Sequence, residues 1–439
     1  MNNVKIKVID SPTGKGKTTA LINLINSNNF EGNKRFLVVT PYNTEVNRIC
    51  ESTSCISPIG KKSEDIKGLL VNGNNICCTH ALYNLFDEET KEILLNNDYS
   101  YTLIIDEEPS VIREVVGARQ VLNEGRGIEV YATRDYKLIL DSNLISISSE
   151  TGKINWNYGH WYSLDSDFRD NGLFNNFRTL TERSNLFSVN NGGTVIALTN
   201  PDIWACFETI YISSYRVKYS YFYCYCLLYS LKIDWYHIAD TGEIAEGYKL
   251  EAPKGLQRIK LYEDTKYNLL DYTLSHFWYN NNCKNKKAID KIKTACRGYL
   301  RFAIKDFKAK AFYWTVYKEY KELLTTKEIS GRRWLACNTK ATNKFKDCTI
   351  VAVLCDNIPN VPWMNFFKKH GIEMDKDNFR LNGLIQFLWR SNIRDMDSNL
   401  DINIYIPHRP MRELFKSWLE TNLNNGETKN PCSTKRTAL

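Results

Sequence analysis

The stretch that most limits what this chain can fold into is Val8–Thr19, V-I-D-S-P-T-G-K-G-K-T-T. An apolar run (Val4, Ile6, Val8, Ile9) feeds a turn bearing Gly14 and Gly16, and a helix-like run, Ala20–Ile25, follows. Strand, glycine loop, Lys-Thr and helix in that order is the context of a phosphate-binding loop. Glycines let backbone N–H groups turn inward around phosphate oxygens, and the helix N-terminus adds its dipole to the same anion site. The residues expected to cradle a nucleotide are Ser11, Pro12, Thr13, Gly14, Lys15, Gly16, Lys17, Thr18 and Thr19. Lys17 is expected at the β- and γ-phosphates, and Thr18 to hold Mg2+ through its hydroxyl.

A second anchor is Tyr101–Pro109, Y-T-L-I-I-D-E-E-P, a β-type run with carboxylates arriving at its end. In an open parallel sheet ligands bind at the carboxyl ends of the strands. Asp106 is expected to bind the metal and Glu107 to orient and polarise an attacking water. The third anchor is Gly383–Arg394, where Gln386, Arg390 and Arg394 are spaced Q-x-x-x-R-x-x-x-R. On a continuous helix positions four apart share a face, and arginine's planar cation suits a phosphoryl group in transfer. These five, Lys17, Glu107, Gln386, Arg390 and Arg394, are the expected catalytic set.

Size and composition set the frame. The 439 residues suggest about two to three domains. With 43% apolar and 25% charged residues the composition is that of an ordinary globular chain, and no apolar run approaches membrane-spanning length. The loop strand follows M-N-N-V-K at once, so the expectation is a protein without signal peptide, staying in the cytoplasm. The net charge of +8 suits a polyanionic partner. The 13 cysteines are scattered without C-x-x-C spacing and read as reduced, largely packed thiols.

Between the anchors, R-F-L-V-V-T-P (35–41) reads as a strand ending in Thr40-Pro41, and Ile76–Cys78 as another ending in Thr79-His80. From 115 to 195 the pattern changes to hairpin-like signals, including Gly125–Gly127 and Ser149–Gly152, which read as a partly β insertion. Trp156, Trp161 and Tyr162 read as its small core or, alternatively, as a wedge or grip on nucleic acid. The expected domains are 1–215, 216–425 and a polar tail, 426–439. Arg297, Arg301, Lys305 and Lys308 fall at helical spacing and suggest a stripe for a phosphate backbone or a merely solvated face, whereas Phe302 and Phe307 read as packing residues rather than base-stacking ones.

S-P-T-G-K-G-K-T, with Ser11 where the strict pattern has Gly, resembles motif I of the superfamily 2 helicases and translocases. Asp106-Glu107 resembles their motif II, although D-E-E-P departs from the D-E-A-D and D-E-A-H boxes. Thr40-Pro41 and Thr79 resemble strand-end contacts to a nucleic-acid backbone. Ser213-Ser214-Tyr215 and Thr199-Asn200-Pro201 compete for motif III, and Thr342-Asn343 resembles motif V. Gln386–Arg394, Ala341–Asn343 and Tyr405–Arg412 are similar to segments of phage-type members. The resemblance implies an α/β fold of two RecA-like domains with ATP in the cleft between them and a nucleic-acid strand across both. It implies an ATP-dependent DNA helicase or translocase of phage or mobile-element replication. Its partners would be single-stranded or forked DNA, RNA not excluded, and replication proteins, with no membrane. The rival readings are a nucleic-acid-stimulated ATPase that remodels or packages DNA, and a non-enzymatic nucleic-acid-binding adaptor.

Overall fold

Strands buried on both faces read as unbroken apolar runs, and the first half of the chain is built on four of them. These are β1 (Ile6–Asp10), β2 (Lys34–Thr40), β3 (Ile76–Thr79) and β4 (Ser100–Asp106). The computed structural model describes residues 5–27, 32–117, 131–169, 172–189, 193–269, 271–339 and 342–427. Gly125–Gly127, Ala341 and the tail beyond 427 lie outside them.

After β4 the chain leaves for β5 (Ile112–Gly117), β6 (Tyr131–Ala132), β7 (Ile145–Ile147), β8 (Lys153–Trp156), β9 (Ser184–Val189) and β10 (Thr194–Thr199). It returns as β11 (Thr209–Ser214), β12 (Ile233–Ile238) and β13 (Ile244–Glu246). The main sheet has the order β13-β12-β1-β11-β4-β2-β3, parallel except for β13. The departing strands form their own sheet, β6-β5-β10-β9-β8-β7, mostly antiparallel. Trp156 and Trp161 meet edge to face at 5.5 Å in its core, while Tyr162 is exposed and stacks on Tyr158 at 6.2 Å.

The chain divides into two units. The first takes the chain up to Ser11, then Gly16–Lys249 and Asn360–Met374; the second takes Pro12–Lys15, Leu250–Pro359 and the chain from Asp375. This division does not fall at the expected 215/216 boundary. Ile233–Ile238 pairs parallel with β1, Ile6 opposite Ile233, so the first sheet is still being built there. Such a pairing joins residues more than two hundred apart and leaves no local trace in the sequence. A later segment also belongs to the first unit. The helix Val361–Lys369 buries Phe366 and Phe367 in the first unit's core, with the Phe366 ring 4.9 Å from Phe187. The Asn360 N–H donates to the Tyr221 hydroxyl at 2.7 Å.

The second unit has a parallel sheet of β14 (Ile259–Leu261), β15 (Phe312–Thr315), β16 (Ile350–Val353) and β17 (Ile402–Tyr405), in the order β14-β17-β16-β15. Tyr279, Tyr299, Phe312, Trp314 and Tyr405 fill its core, with Tyr299 and Tyr405 stacked at 4.5 Å. The architecture is α/β, with helix-flanked, parallel-rich sheets in both units, as expected of two RecA-like domains.

Candidate active site

The main sheet brings three strand ends level. Asp10 pairs with Ser214, and Ser213 with Asp106, so β1, β11 and β4 finish side by side. The loop that follows β1 is rooted there. The Ser11 N–H donates to the Ser214 carbonyl at 3.1 Å, and the Ser11 hydroxyl accepts the Ile238 N–H at 2.8 Å. Gly14 and Gly16 have φ of +86° and +88°, a backbone region open to glycine at no steric cost. The helix Lys17–Ser27 starts at the loop's end and packs Ala20, Leu21 and Ile25 on the Ile9, Val38 and Ile104 side of the sheet. Lys17 leads that helix, and its ammonium donates to the Ser11 carbonyl at 2.7 Å. Thr13 is half-buried and Thr19 exposed in the helix's first turn.

Thr18 and Asp106 meet across the strand ends, the threonine hydroxyl donating to the carboxylate at 3.1 Å. Burial, reinforced by the charge of Glu107, pushes the Asp106 carboxyl up to about 6, against the pull of Lys17 and Thr18. Glu107 takes a left-handed backbone conformation, φ +67°, and its N–H donates to the Ser213 carbonyl at 2.8 Å. Glu108 turns away: its carboxylate accepts the Phe222 N–H at 3.3 Å, beside the start of the helix Tyr221–Leu228. The D-E-E run therefore divides its duties, two acids at the strand ends and one bonded to the start of a helix.

A further carboxylate escaped the sequence reading. Asp10 is buried and accepts the N–H groups of Arg216 and Val217 at 2.7 and 2.9 Å. Burial raises its pKa against those two bonds and the nearby charge of Lys17. An acid directly after the apolar pair Val8-Ile9, at the end of β1, is the signal that could have found it. Of the two motif III candidates, Ser213-Ser214-Tyr215 ends β11 beside Asp106. Thr199-Asn200-Pro201 instead ends β10 in the inserted sheet, where the Asn200 side chain accepts the Asp202 N–H.

Several expected contact residues are otherwise engaged. Thr40 is fully buried, its hydroxyl donating to the Tyr42 carbonyl at 3.3 Å, with Pro41 half-buried beside it. The Thr79 hydroxyl caps the short helix His80–Tyr83, accepting the Leu82 N–H, and His80 Nε2 lies 3.0 Å from the Asp106 carbonyl oxygen.

In the second unit the expected continuous helix for Gln386, Arg390 and Arg394 is not formed. The helix Lys376–Leu388 stops short of both arginines. The Tyr313 hydroxyl sits against its last carbonyls, 3.0 Å from Phe387 O and 3.3 Å from Leu388 O, and Ser391 caps a separate turn, Asn392–Arg394. Gln386 donates to Asn382 one turn back in the helix. Arg390 is 2% exposed, whereas Arg394 is half-buried and donates to the Asn343 side chain, joining two motifs 51 residues apart. Thr342 accepts the Lys344 N–H. The basic stripe is also broken. Arg297 and Arg301 both bind Glu328, and the helix ends at Ala303, where Ile304 is extended and a turn with Asp306 at φ +52° follows, so Lys305 and Lys308 leave the helical phase.

A family model described as the YonV C-terminal Rossmann-like domain matches residues 254–419. Over 439 residues, 95% of this chain and 99% of the relative, the chain is 29% identical to the SPbeta prophage-derived uncharacterized protein YonV of Bacillus subtilis (strain 168). Among solved structures it is similar to Xpd4 of S. tokodaii, with a TM-score of 0.48 and 13% identity, covering 95% of this chain and 94% of that one. A structure named XPD_Helicase overlaps it with a TM-score of 0.44 and 12% identity, covering 96% and 95%. No helix among the described residues is long and apolar enough to cross a membrane.

Proposed function

We propose that this chain is an ATP hydrolase coupled to nucleic acid, a helicase or translocase of phage or mobile-element DNA replication. The observation that supports it most is the convergence of Lys17, Thr18, Asp106 and Glu107 at the level ends of β1, β11 and β4. A glycine loop at a helix N-terminus is an anion site, and carboxylates beside it suit a phosphate held with a metal. The helicase names of the structural neighbours and the prophage origin of the sequence relative are in keeping with this reading.

The residues fit ATP and Mg2+. Nothing lies within 4 Å of where a Cβ would stand on Gly14 or Gly16, so a phosphate can approach the backbone there. The Thr18 hydroxyl and the Asp106 carboxylate form an oxygen pair of the kind magnesium accepts. When bound, the metal neutralises charge on the phosphate oxygens. Lys17 would exchange the Ser11 carbonyl for a phosphate oxygen, and Glu107 would orient the attacking water. Arg394 and Arg390 would supply guanidinium charge to the group in transfer. Single-stranded or forked DNA is the proposed track, RNA not excluded, with replication proteins as companions.

A pH dependence follows from Asp106. Its raised pKa leaves the carboxyl neutral below about 6, and a proton then competes with the cation. Divalent-metal affinity should fall roughly tenfold for each pH unit below about 6 and stay level above 7. Titration of Mg2+ against a fluorescent ATP analogue at pH 5, 6 and 7 checks this, and a flat response would exclude Asp106 as a ligand.

The function itself is tested with the full chain, ATP, Mg2+ and a single strand. Strand-stimulated hydrolysis together with displacement of an annealed strand is the expected result. Stimulation without displacement would move the assignment to a remodelling or packaging ATPase. An absence of hydrolysis with every strand offered would leave only an adaptor.

A further inference from the structure

Residues 284–310 carry ten lysines and arginines against two aspartates, a net +8 that equals the formal charge of the whole 439-residue chain. The rest of the sequence is neutral on balance, so a polyanion attracted by net charge is attracted here.

The backbone of this segment is unusual at one point. The helix Lys286–Gly298 passes into a π-helical turn, Tyr299–Ala303. Such turns shift the following side chains out of helical phase and are frequent at functional sites. Tyr299 and Leu300 remain buried, but Phe302 stands 76% exposed. That exposure does not suit the packing role its sequence suggests.

Phe302 is backed by other groups on its inner side. The Tyr267 ring lies 6.5 Å from it, with the two planes 21° apart, and the Lys266 ammonium is 5.3 Å from the Tyr267 centroid. Gly298 makes room for this column, since a Cβ there would lie 2.5 Å from the tyrosine ring. Arg297 and Arg301 are held by Glu328. Lys266, Lys305 and Lys308 are exposed.

We propose that Phe302 is a base-stacking residue of a single-stranded nucleic-acid site on the second unit, with Lys266, Lys305 and Lys308 serving its phosphates. The choice of partner rests on the functional reading above. An aromatic face accepts any base, and lysines around it bind the backbone through counterion release. A protein partner fits this surface less well, because the cores of protein interfaces are depleted in lysine.

The test is fluorescence anisotropy of the full chain with a labelled oligo-dT strand at 50 and 200 mM salt. Phe302→Ala should weaken binding about 5- to 100-fold, the equivalent of about 1–3 kcal/mol, with an unchanged melting temperature. Phe302→Trp should bind at least as tightly as the native chain. Lys305→Ala with Lys308→Ala should flatten the salt dependence by about 1.4 in log–log slope. If the native chain binds the strand and Phe302→Ala binds within twofold of it, the stacking site is overturned while the helicase reading stands. If the native chain binds no strand, both fall. Loss of a protein partner in Phe302→Ala, with strand binding intact, also overturns the proposal.

Discussion

Replacing Lys17 with alanine should lower ATP turnover by about 10²–10³-fold while leaving the chain folded. The lysine charge is what the proposed reaction loses, because the loop's backbone donors remain. The structural loss is one bond, the ammonium to the Ser11 carbonyl at 2.7 Å. That bond is worth about 1 kcal/mol, or a shift of about 2–4 °C in melting temperature for a unit of this size. Ser11 stays tied through its N–H to Ser214 and through its hydroxyl to Ile238, so the root of the loop keeps its geometry. Steady-state hydrolysis and a melting curve on the same preparation check the expectation. Wild-type turnover in a folded Lys17→Ala variant would remove the loop from the chemistry.

The second large effect is expected at Glu107. Glu107→Gln keeps the shape and removes the charge, so ATP should bind within about threefold of normal while single-turnover hydrolysis falls by about 10²–10⁴-fold. The backbone adds a separate signature. A left-handed conformation costs an L-residue roughly 1–2 kcal/mol, and Glu107 is held in it at φ +67°. Glu107→Gly should relieve that strain, melting no lower than the native chain while being as inactive as the glutamine variant. Glu108 cannot readily substitute, because its carboxylate is bound to the Phe222 N–H. Near-normal turnover in Glu107→Gln would assign the water-orienting duty elsewhere. A marked loss of stability in Glu107→Gly would mean that the turn, rather than the carboxylate, fixes this conformation.

What could be read in advance divides along physical lines. β1 and β4 were legible because strands buried on both faces are apolar toward their ends, Val8-Ile9 and Leu103–Ile105, and the acids closing them then stand out. The loop glycines were legible because few other residues tolerate their φ. Tertiary causes were hidden. The helix carrying Gln386 had the right periodicity to include Arg390 and Arg394, but the Tyr313 hydroxyl, 74 residues away, meets its terminal carbonyls where it stops. The stripe through Arg297 and Arg301 was sound in spacing, yet a single acid, Glu328, engages both arginines and a π-helical turn ends the phase. Thr40 and Thr79 sit where strand-end threonines were expected, but each spends its hydroxyl on the local backbone. Asp10 showed as an acid at the end of β1, but its role did not, because its partners are two amides of a turn more than two hundred residues on.

The excursion of Asn360–Met374 bears on how this protein can be dissected. A gene fragment stopping at Lys249 would encode every strand of the first unit's main sheet and still lack two phenylalanines buried in that unit's core. Such a truncation product would carry an uncovered oily seat around Phe187 and Tyr221, an invitation to clump in the test tube. Splitting the gene at one place therefore cannot yield a satisfied amino-terminal piece. A recombinant version would need residues 360–374 grafted back by a linker, much as a missing strand is donated to an incomplete sheet.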